Sequence, residues 1–276
     1  MSDKKVAIKL STLENIGNAV RNKEGTTDLI PVNTLADRIA ALPSGVSKLP
    51  QIIDRTITEI TAEDLVGITK IGRYAFCDCA SLTSVIIPDS VTSISSYPFY
   101  NCTSLTSVTI GNGVTSIGDW VFYNCTSLMS VTIPDSVISI GGQMFRGCSS
   151  LTSVTIGNGV TSISRNMFDS CTSLTSVIIP DSVTSISDYA FSYCTSLTSV
   201  IIPDSVTSIS YDALKIGSTS NTATITFLRT TPPSIASSTF RTDYLDKIIV
   251  PAGCGEAYKT ATNWANFADY IEEATE

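Results

Sequence analysis

The chain has 276 residues, 43% of them hydrophobic and 15% charged, enough for one large domain or two small ones. A net charge of −8, with Lys and Arg residues that form no cluster, argues against a nucleic-acid partner or an anionic membrane surface. With no histidine, the commonest general base and transition-metal ligand are missing, so no enzyme is expected.

The N-terminus, Met1-Ser2-Asp3-Lys4-Lys5-Val6, leads into an amphipathic segment rather than the apolar core of a secretory signal. No run approaches the ~18 consecutive apolar residues of a membrane-spanning helix. A chain read this way stays inside the cell or leaves by another route, such as lysis or a virion. Ser11-Thr12-Leu13-Glu14 has the spacing of a capping box, with Leu13, Ile16 and Val20 on one face and a stop near Gly25. A second helix starts at Asn33 or Thr34, carries Leu35, Ile39 and Leu42 on one face, and ends before Pro43 and Gly45. Two short amphipathic helices must bury their stripes on something. Through Leu13-Glu14-Asn15-Ile16-Gly17-Asn18-Ala19-Val20-Arg21, Gly25-Thr26-Thr27 and Leu35-Ala36-Asp37-Arg38-Ile39, residues 1–45 resemble the N-terminal helical piece of phage or prophage tail-associated proteins. That resemblance implies a module for docking or self-association; a simple N-terminal cap is the other reading, and both stay open.

From residue 46 to about 220 the chain repeats. The stretch from Ile57 to Phe76 is a degenerate unit in which Ile68, Ile71 and Phe76 keep the pattern while Glu59, Ala62 and Asp64 break it. Cys79, Cys102, Cys125, Cys148, Cys171 and Cys194 then come at intervals of 23 residues. Leu82, Val85, Ile87 and Phe99 begin further columns at the same interval, and columns in such register are the mark of a solenoid. Within a unit, Val108 and Ile110 alternate with polar residues as in a strand with one buried face. Gly111-Asn112-Gly113 or Pro134-Asp135-Ser136 supplies a turn, and Val114 to Ile117 is a second extended piece. A loose turn or short helix buries Phe122. One coil cannot bury its apolar face alone, so coils stack in parallel.

These columns resemble the BspA-like leucine-rich repeat family, as in Cys125-Thr126-Ser127-Leu128-Met129-Ser130-Val131-Thr132-Ile133-Pro134-Asp135-Ser136-Val137. The resemblance covers roughly residues 57–215. It implies a right-handed leucine-rich repeat solenoid with parallel β-strands on one face and irregular or short helical turns elsewhere. It also implies a bacterial surface or extracellular protein that adheres to host proteins or other cells.

Residues 221–276 read as a C-terminal α+β cap: strands at 225–228 and 247–251, then a helix from Glu256 to Glu272 packing Tyr258, Trp264, Phe267 and Ile271. The stretch Val250-Pro251-Ala252-Gly253 to Tyr270 resembles the cap of BspA-like proteins.

The column cysteines are expected to be buried thiols whose polar atom meets neighbouring backbone. Without a C-x-x-C pair, no metal is expected, and no cofactor either. Asp89, Asp135, Asp181 and Asp204, in Pro-Asp-Ser turns, are expected to bond their own backbone. Outward strand positions such as Ser107, Thr109, Ser130 and Thr132 read as a solvated Ser/Thr face. Information about a partner lies where the repeat varies. One such column reads Tyr74, Tyr97, Trp120, Gln143, Asn166, Tyr189 and Asp212; another reads Tyr100, Tyr123, Arg146, Asp169 and Ser192. Aromatic and Arg side chains build binding hot spots, so Tyr97, Tyr100, Trp120, Tyr123, Arg146 and Tyr189 are the candidate contacts for a protein or glycan.

Overall fold

The computed structural model describes residues 55–275; the helices expected within residues 1–45 lie outside the described residues. The described chain is a parallel β-solenoid of about nine turns with few helices. Each regular coil carries a longer strand, a sharp turn, a two-residue strand and an irregular arm. The longer strands β1 (Glu59–Ile60), β3 (Ser84–Ile87), β5 (Ser107–Ile110), β7 (Ser130–Ile133), β9 (Ser153–Ile156) and β11 (Ser176–Ile178) form one sheet. The short strands β2 (Lys70–Ile71), β4 (Ser93–Ile94), β6 (Ser116–Ile117) and β8 (Ser139–Ile140) form a second. Beyond these, β10 (Ser162–Ile163), β12 (Ser185–Ile186), β14 (Ser208–Ile209) and β16 (Ser234–Ile235) continue the short-strand side. The long-strand side continues with β13 (Ser199–Ile202), β15 (Ala223–Phe227), β17 (Leu245–Val250) and β18 (Ile271–Glu273).

Register obeys the repeat. Val85 pairs with Val108, and Ile87 with Ile110, so like residues stack on like. The inward positions of β5, β7 and β9 are buried and the outward ones exposed, which is the alternation a one-sided strand requires. Inside, Leu82, Leu105, Leu128, Leu151, Leu174 and Leu197 are all fully buried. Each such side chain is worth about 1.5–3 kcal/mol relative to exposure. Beside them runs a continuous stack of Phe76, Phe99, Phe122, Phe145, Phe168 and Phe191, with ring centroids 5.2–5.7 Å apart and planes within 7–12°.

The cysteine column behaves as expected. Each thiol from Cys102 to Cys194 donates to the carbonyl of the Phe 26 residues earlier, at 3.0–3.2 Å. Burial pushes the Cys148 thiol up to about 12, and raises Cys102, Cys125, Cys171 and Cys194 for the same reason. A small buried side chain with one weak donor fits here because it satisfies a carbonyl without demanding water.

Three expectations need correction. Two of the Pro-Asp-Ser aspartates bond the next coil instead of their own turn: Asp89 Oδ1 accepts the backbone N–H of Asn112, and Asp135 Oδ1 that of Asn158, both at 2.7 Å. These two link neighbouring coils, because a carboxylate in a stacked turn lies beside the N–H of the next turn. The outward face is not uniformly Ser and Thr, since Ile86, Ile178 and Ile201 are 44%, 72% and 57% exposed. Those three belong to units whose strand reads Ser-Val-Ile-Ile, which places a second Ile on the outer side of the pleat.

The third concerns the helix expected from Glu256 to Glu272. It is three elements: helix α1 (Gly255–Thr260), a 3-10 helix over Trp264–Tyr270, and β18, which pairs with β17. The first helix ends where Ala261 turns extended, and Asn263, at a left-handed φ of 68°, starts the 3-10 helix while its side chain donates to the Ile235 carbonyl at 2.7 Å. The residues expected to pack do so. Trp264 and Tyr258 are fully buried, the Trp264 indole N–H donates to the Pro233 carbonyl at 2.8 Å, and Phe267 and Ile271 complete the closure.

Candidate functional site

The irregular arm leaves the aromatic members of the variable columns half-buried at the surface, whereas Asn166, Asp169, Ser192 and Asp212 of the same columns are buried. In residues 97–101 the N–H groups of Tyr97, Phe99 and Asn101 donate forward to the carbonyls of Asp119, Val121 and Tyr123 in the next coil. Strand N–H groups run the other way, as in Thr106 to Thr83. Reversing the direction requires residues with positive φ at both ends of the arm. They are Tyr97 (66°) and Asn101 (60°) in one coil, then Trp120 (60°) and Asn124 (56°) in the next. The whole first variable column shares this conformation: Tyr74, Gln143, Asn166, Tyr189 and Asp212 lie between 54° and 61°.

Left-handed backbone costs a residue with a bulky side chain roughly 1–2 kcal/mol, and Gly or Asn much less. In the second left-handed column the low-cost choice is common: Asn101, Asn124 and Gly147 occupy it. There Asn124 Nδ2 donates to Asn101 Oδ1 at 2.6 Å, and Asn101 Nδ2 to Asp78 Oδ1 at 3.1 Å. The first column carries aromatics at four of seven coils instead.

The side chains assemble into two aromatic stacks lying side by side. Tyr74, Tyr97 and Trp120 stack at 4.8 and 5.8 Å, with planes within 24° and 12°. Tyr100 and Tyr123 stack at 4.8 Å and 7°. The stacks meet at an angle, with Tyr97–Tyr100 at 6.0 Å, Tyr100–Trp120 at 6.5 Å and Trp120–Tyr123 at 4.9 Å. At one end the Arg73 guanidinium lies 4.9 Å from the Tyr74 ring centre and 5.2 Å from that of Tyr97. All five rings are half-buried. Burial raises the Tyr100 phenol, and the neighbouring Tyr123 and Asp78 add to the effect, so this hydroxyl stays neutral.

Of the six candidate contacts, four come together: Tyr97, Tyr100, Trp120 and Tyr123. Arg146 continues the second column but is engaged, with its guanidinium 2.9 Å from Asp169 and 3.1 Å from Gln143 Oε1. It closes the ridge rather than offering a bare charge. Tyr189 lies three coils further on and packs edge-on against Tyr211 at 5.4 Å, apart from the other four. Two members of the cluster were not among the candidates. Tyr74 was visible in the column, whereas Arg73 belongs to no column and only its adjacency to Tyr74 pointed to it. Among the described residues no group of His, Cys, Asp and Glu side chains is placed to hold a metal. No helix there is long and apolar enough to cross a membrane.

The BspA type leucine-rich repeat region matches the chain in six copies over residues 69–179 and 161–263, well over half its length. The chain belongs to this family. A leucine-rich repeat protein from Bacteroides ovatus has a similar structure, at 25% identity and a TM-score of 0.58, with 71% of this chain and 56% of that one covered. Also similar are a leucine-rich repeat protein of T. pallidum (27% identity, TM-score 0.45, 62% of this chain and 66% of that) and a leucine-rich cell surface protein of Faecalibacterium prausnitzii (25%, 0.45, 76% and 84%). The chain thus spans just over half the length of the Bacteroides protein. No curated protein matches it. Nothing in these matches supports the resemblance of residues 1–45 to tail-associated proteins.

Proposed function

We propose that the chain is a non-catalytic recognition protein whose partner-binding surface is the double aromatic ridge of Tyr74, Tyr97, Trp120, Tyr100 and Tyr123. The observation that carries this reading is the choice of residue in the left-handed column. Asn166 occupies the same turn in the same conformation (φ 54°), so the fold does not need a ring there. Bulky side chains retained in a costly backbone conformation point to a role outside folding. Half-buried aromatics with polar tips are also the commonest anchors of protein interfaces.

The ring geometry favours a protein over a stacked sugar. Within the stacks each ring turns one face or both to a neighbour, so the ridge offers mainly edges and phenol hydroxyls. Such groups hydrogen-bond and pack well against peptide and side-chain surfaces, whereas a pyranose needs an open face. Surface adhesion is the setting this reading fits.

The test uses the columns' own alternatives: Tyr97→Asn and Trp120→Asn, after Asn166, with Tyr100→Ser and Tyr123→Ser, after Ser192. The full chain and this quadruple variant are incubated with arrayed host-cell surface proteins and glycans. Proteins captured by the parent should be lost with the variant while circular dichroism is unchanged. Capture that survives all four changes rules the ridge out.

A further inference from the structure

Far from the ridge, where the last regular coil meets the C-terminal cap, the surface is indented by a depression of about 380 Å³. That is large enough for a sugar-sized molecule, since ligand sites start near ~300 Å³. Its lining includes Phe240, packed at a tilt against Trp264 and edge-on against Phe267, so this part of the wall is rigid. Tyr193 contributes a ring that is 58% exposed. Lys215 from the coil and Arg241 and Asp243 from the cap bring charges of both signs to the lining.

The charges that line this depression point to an anionic ligand. Arg241 is held in place without being neutralised. Its guanidinium sits 4.1 Å from the Tyr244 ring centre and donates to that phenol at 3.3 Å, and among the described residues it has no carboxylate within ion-pair distance. Lys215 is held likewise, by Asp212 at 2.7 Å, with two of its three ammonium protons left for other acceptors.

We infer that this depression binds an acidic sugar, its carboxylate received by Arg241 and Lys215, its ring edge against the exposed Tyr193, and its hydroxyls bonded to Asp243. Guanidinium and carboxylate match as planar partners. The Asp243 carboxylate selects against a doubly charged phosphate and accepts from sugar hydroxyls, which a purely anionic ligand does not have. The site is independent of the aromatic ridge.

The experiment titrates the full chain, by calorimetry or by NMR chemical shifts, with D-glucuronate, D-glucose and inorganic phosphate. Saturable binding of glucuronate, with glucose and phosphate at least about tenfold weaker, is expected. Arg241→Gln should weaken glucuronate by about tenfold or more, as expected for the loss of a charge-assisted bond. Tyr193→Ala should also weaken it while leaving the melting temperature level, because the ring is mostly exposed. If Arg241→Gln fails to fold, the Tyr193→Ala comparison decides alone. Absence of glucuronate saturation overturns the proposal, as does phosphate binding as tightly as glucuronate, or a Tyr193→Ala variant of unchanged affinity. The quadruple ridge variant should bind glucuronate like the parent; if it does not, the two surfaces are not independent and the inference falls.

Discussion

Replacing Phe122 by Ala probes how much of the solenoid's stability is shared between neighbouring coils. The Phe122 ring is fully buried, with Phe99 5.4 Å away on one side and Phe145 5.7 Å away on the other. Truncating a buried Phe costs about 3–5 kcal/mol in transfer and cavity terms together. Parallel backbones bonded on both sides hinder collapse of the cavity, and two ring contacts are lost, so the upper end of that range applies. Phe76, at the start of the stack, has a ring partner only in Phe99 and is 3% exposed, so Phe76→Ala should cost about 1–2 kcal/mol less. Phe122→Leu, which keeps most of the volume, should cost about 1–2 kcal/mol. Urea titrations monitored by far-UV circular dichroism measure all three. The array is held by nearest-neighbour contacts, so Phe122→Ala should also broaden the transition or split it in two, the coils on either side unfolding separately. Equal costs for Phe122→Ala and Phe76→Ala, with a single sharp transition in both, would refute the idea that stability is passed from coil to coil through this stack.

Gly157→Ala should destabilise by about 1–3 kcal/mol, since an added Cβ would come within 2.5 Å of the Pro134 carbonyl group, which is backbone and cannot swing away; chemical denaturation reads it. Native thiol labelling near pH 8 should modify Cys254 quickly, because it is only partly buried, while the five column thiols from Cys102 to Cys194 react only after unfolding. Glu273 accepts the N–H groups of Gly253 and Gly255 at 2.9 and 2.8 Å, which lowers its carboxyl below the ordinary 4.5. A folded-state value below the unfolded one stabilises above the unfolded value and loses that contribution as pH falls through the folded one. Glu273→Gln should therefore lower the melting temperature at neutral pH, and the gap to the parent should close on acidification below 4.5. A gap that stays constant across that range would show that the clasp is not ionic.

The repeat is legible because each inward column is one residue type over many coils: Leu82 to Leu197 and Cys79 to Cys194 can be seen at a glance, and their burial results from stacking. Nothing that depends on the exact path of the turns can be read this way. Asp89 and Asp135 bond to the following coil because turns lie side by side, and spacing along one chain does not reveal that. The C-terminal helix reads as continuous because Trp264, Phe267 and Ile271 keep helical intervals; the extended Ala261 and left-handed Asn263 interrupt it, and neither carries a periodic signal. The aromatic columns are visible, yet periodicity alone does not tell that Tyr97 and Trp120 sit at positive φ or that Tyr189 stands apart. The cap depression has no signature, since Tyr193, Lys215, Ser238 and Arg241 come from distant stretches.

The alternation of turns bears on how such a gene lengthens. Units with Pro-Asp-Ser are succeeded by Gly-Asn-Gly units at residues 88–113 and again at 134–159, and in both pairs the aspartate bonds the asparagine N–H of its successor. The last two units, Pro180-Asp181-Ser182 and Pro203-Asp204-Ser205, break the alternation. In that pair the serine link to the preceding coil remains, from Ser205 to the Val183 carbonyl at 2.7 Å. Recombination that copies two units at a time inherits every contact ready-made, whereas copying a single unit forfeits the aspartate bond and keeps only the serine one. Duplication in pairs is thus the route of least structural loss. It would also carry ridge residues such as Tyr97 and Trp120 together, so that a binding surface expands in step with the scaffold beneath it.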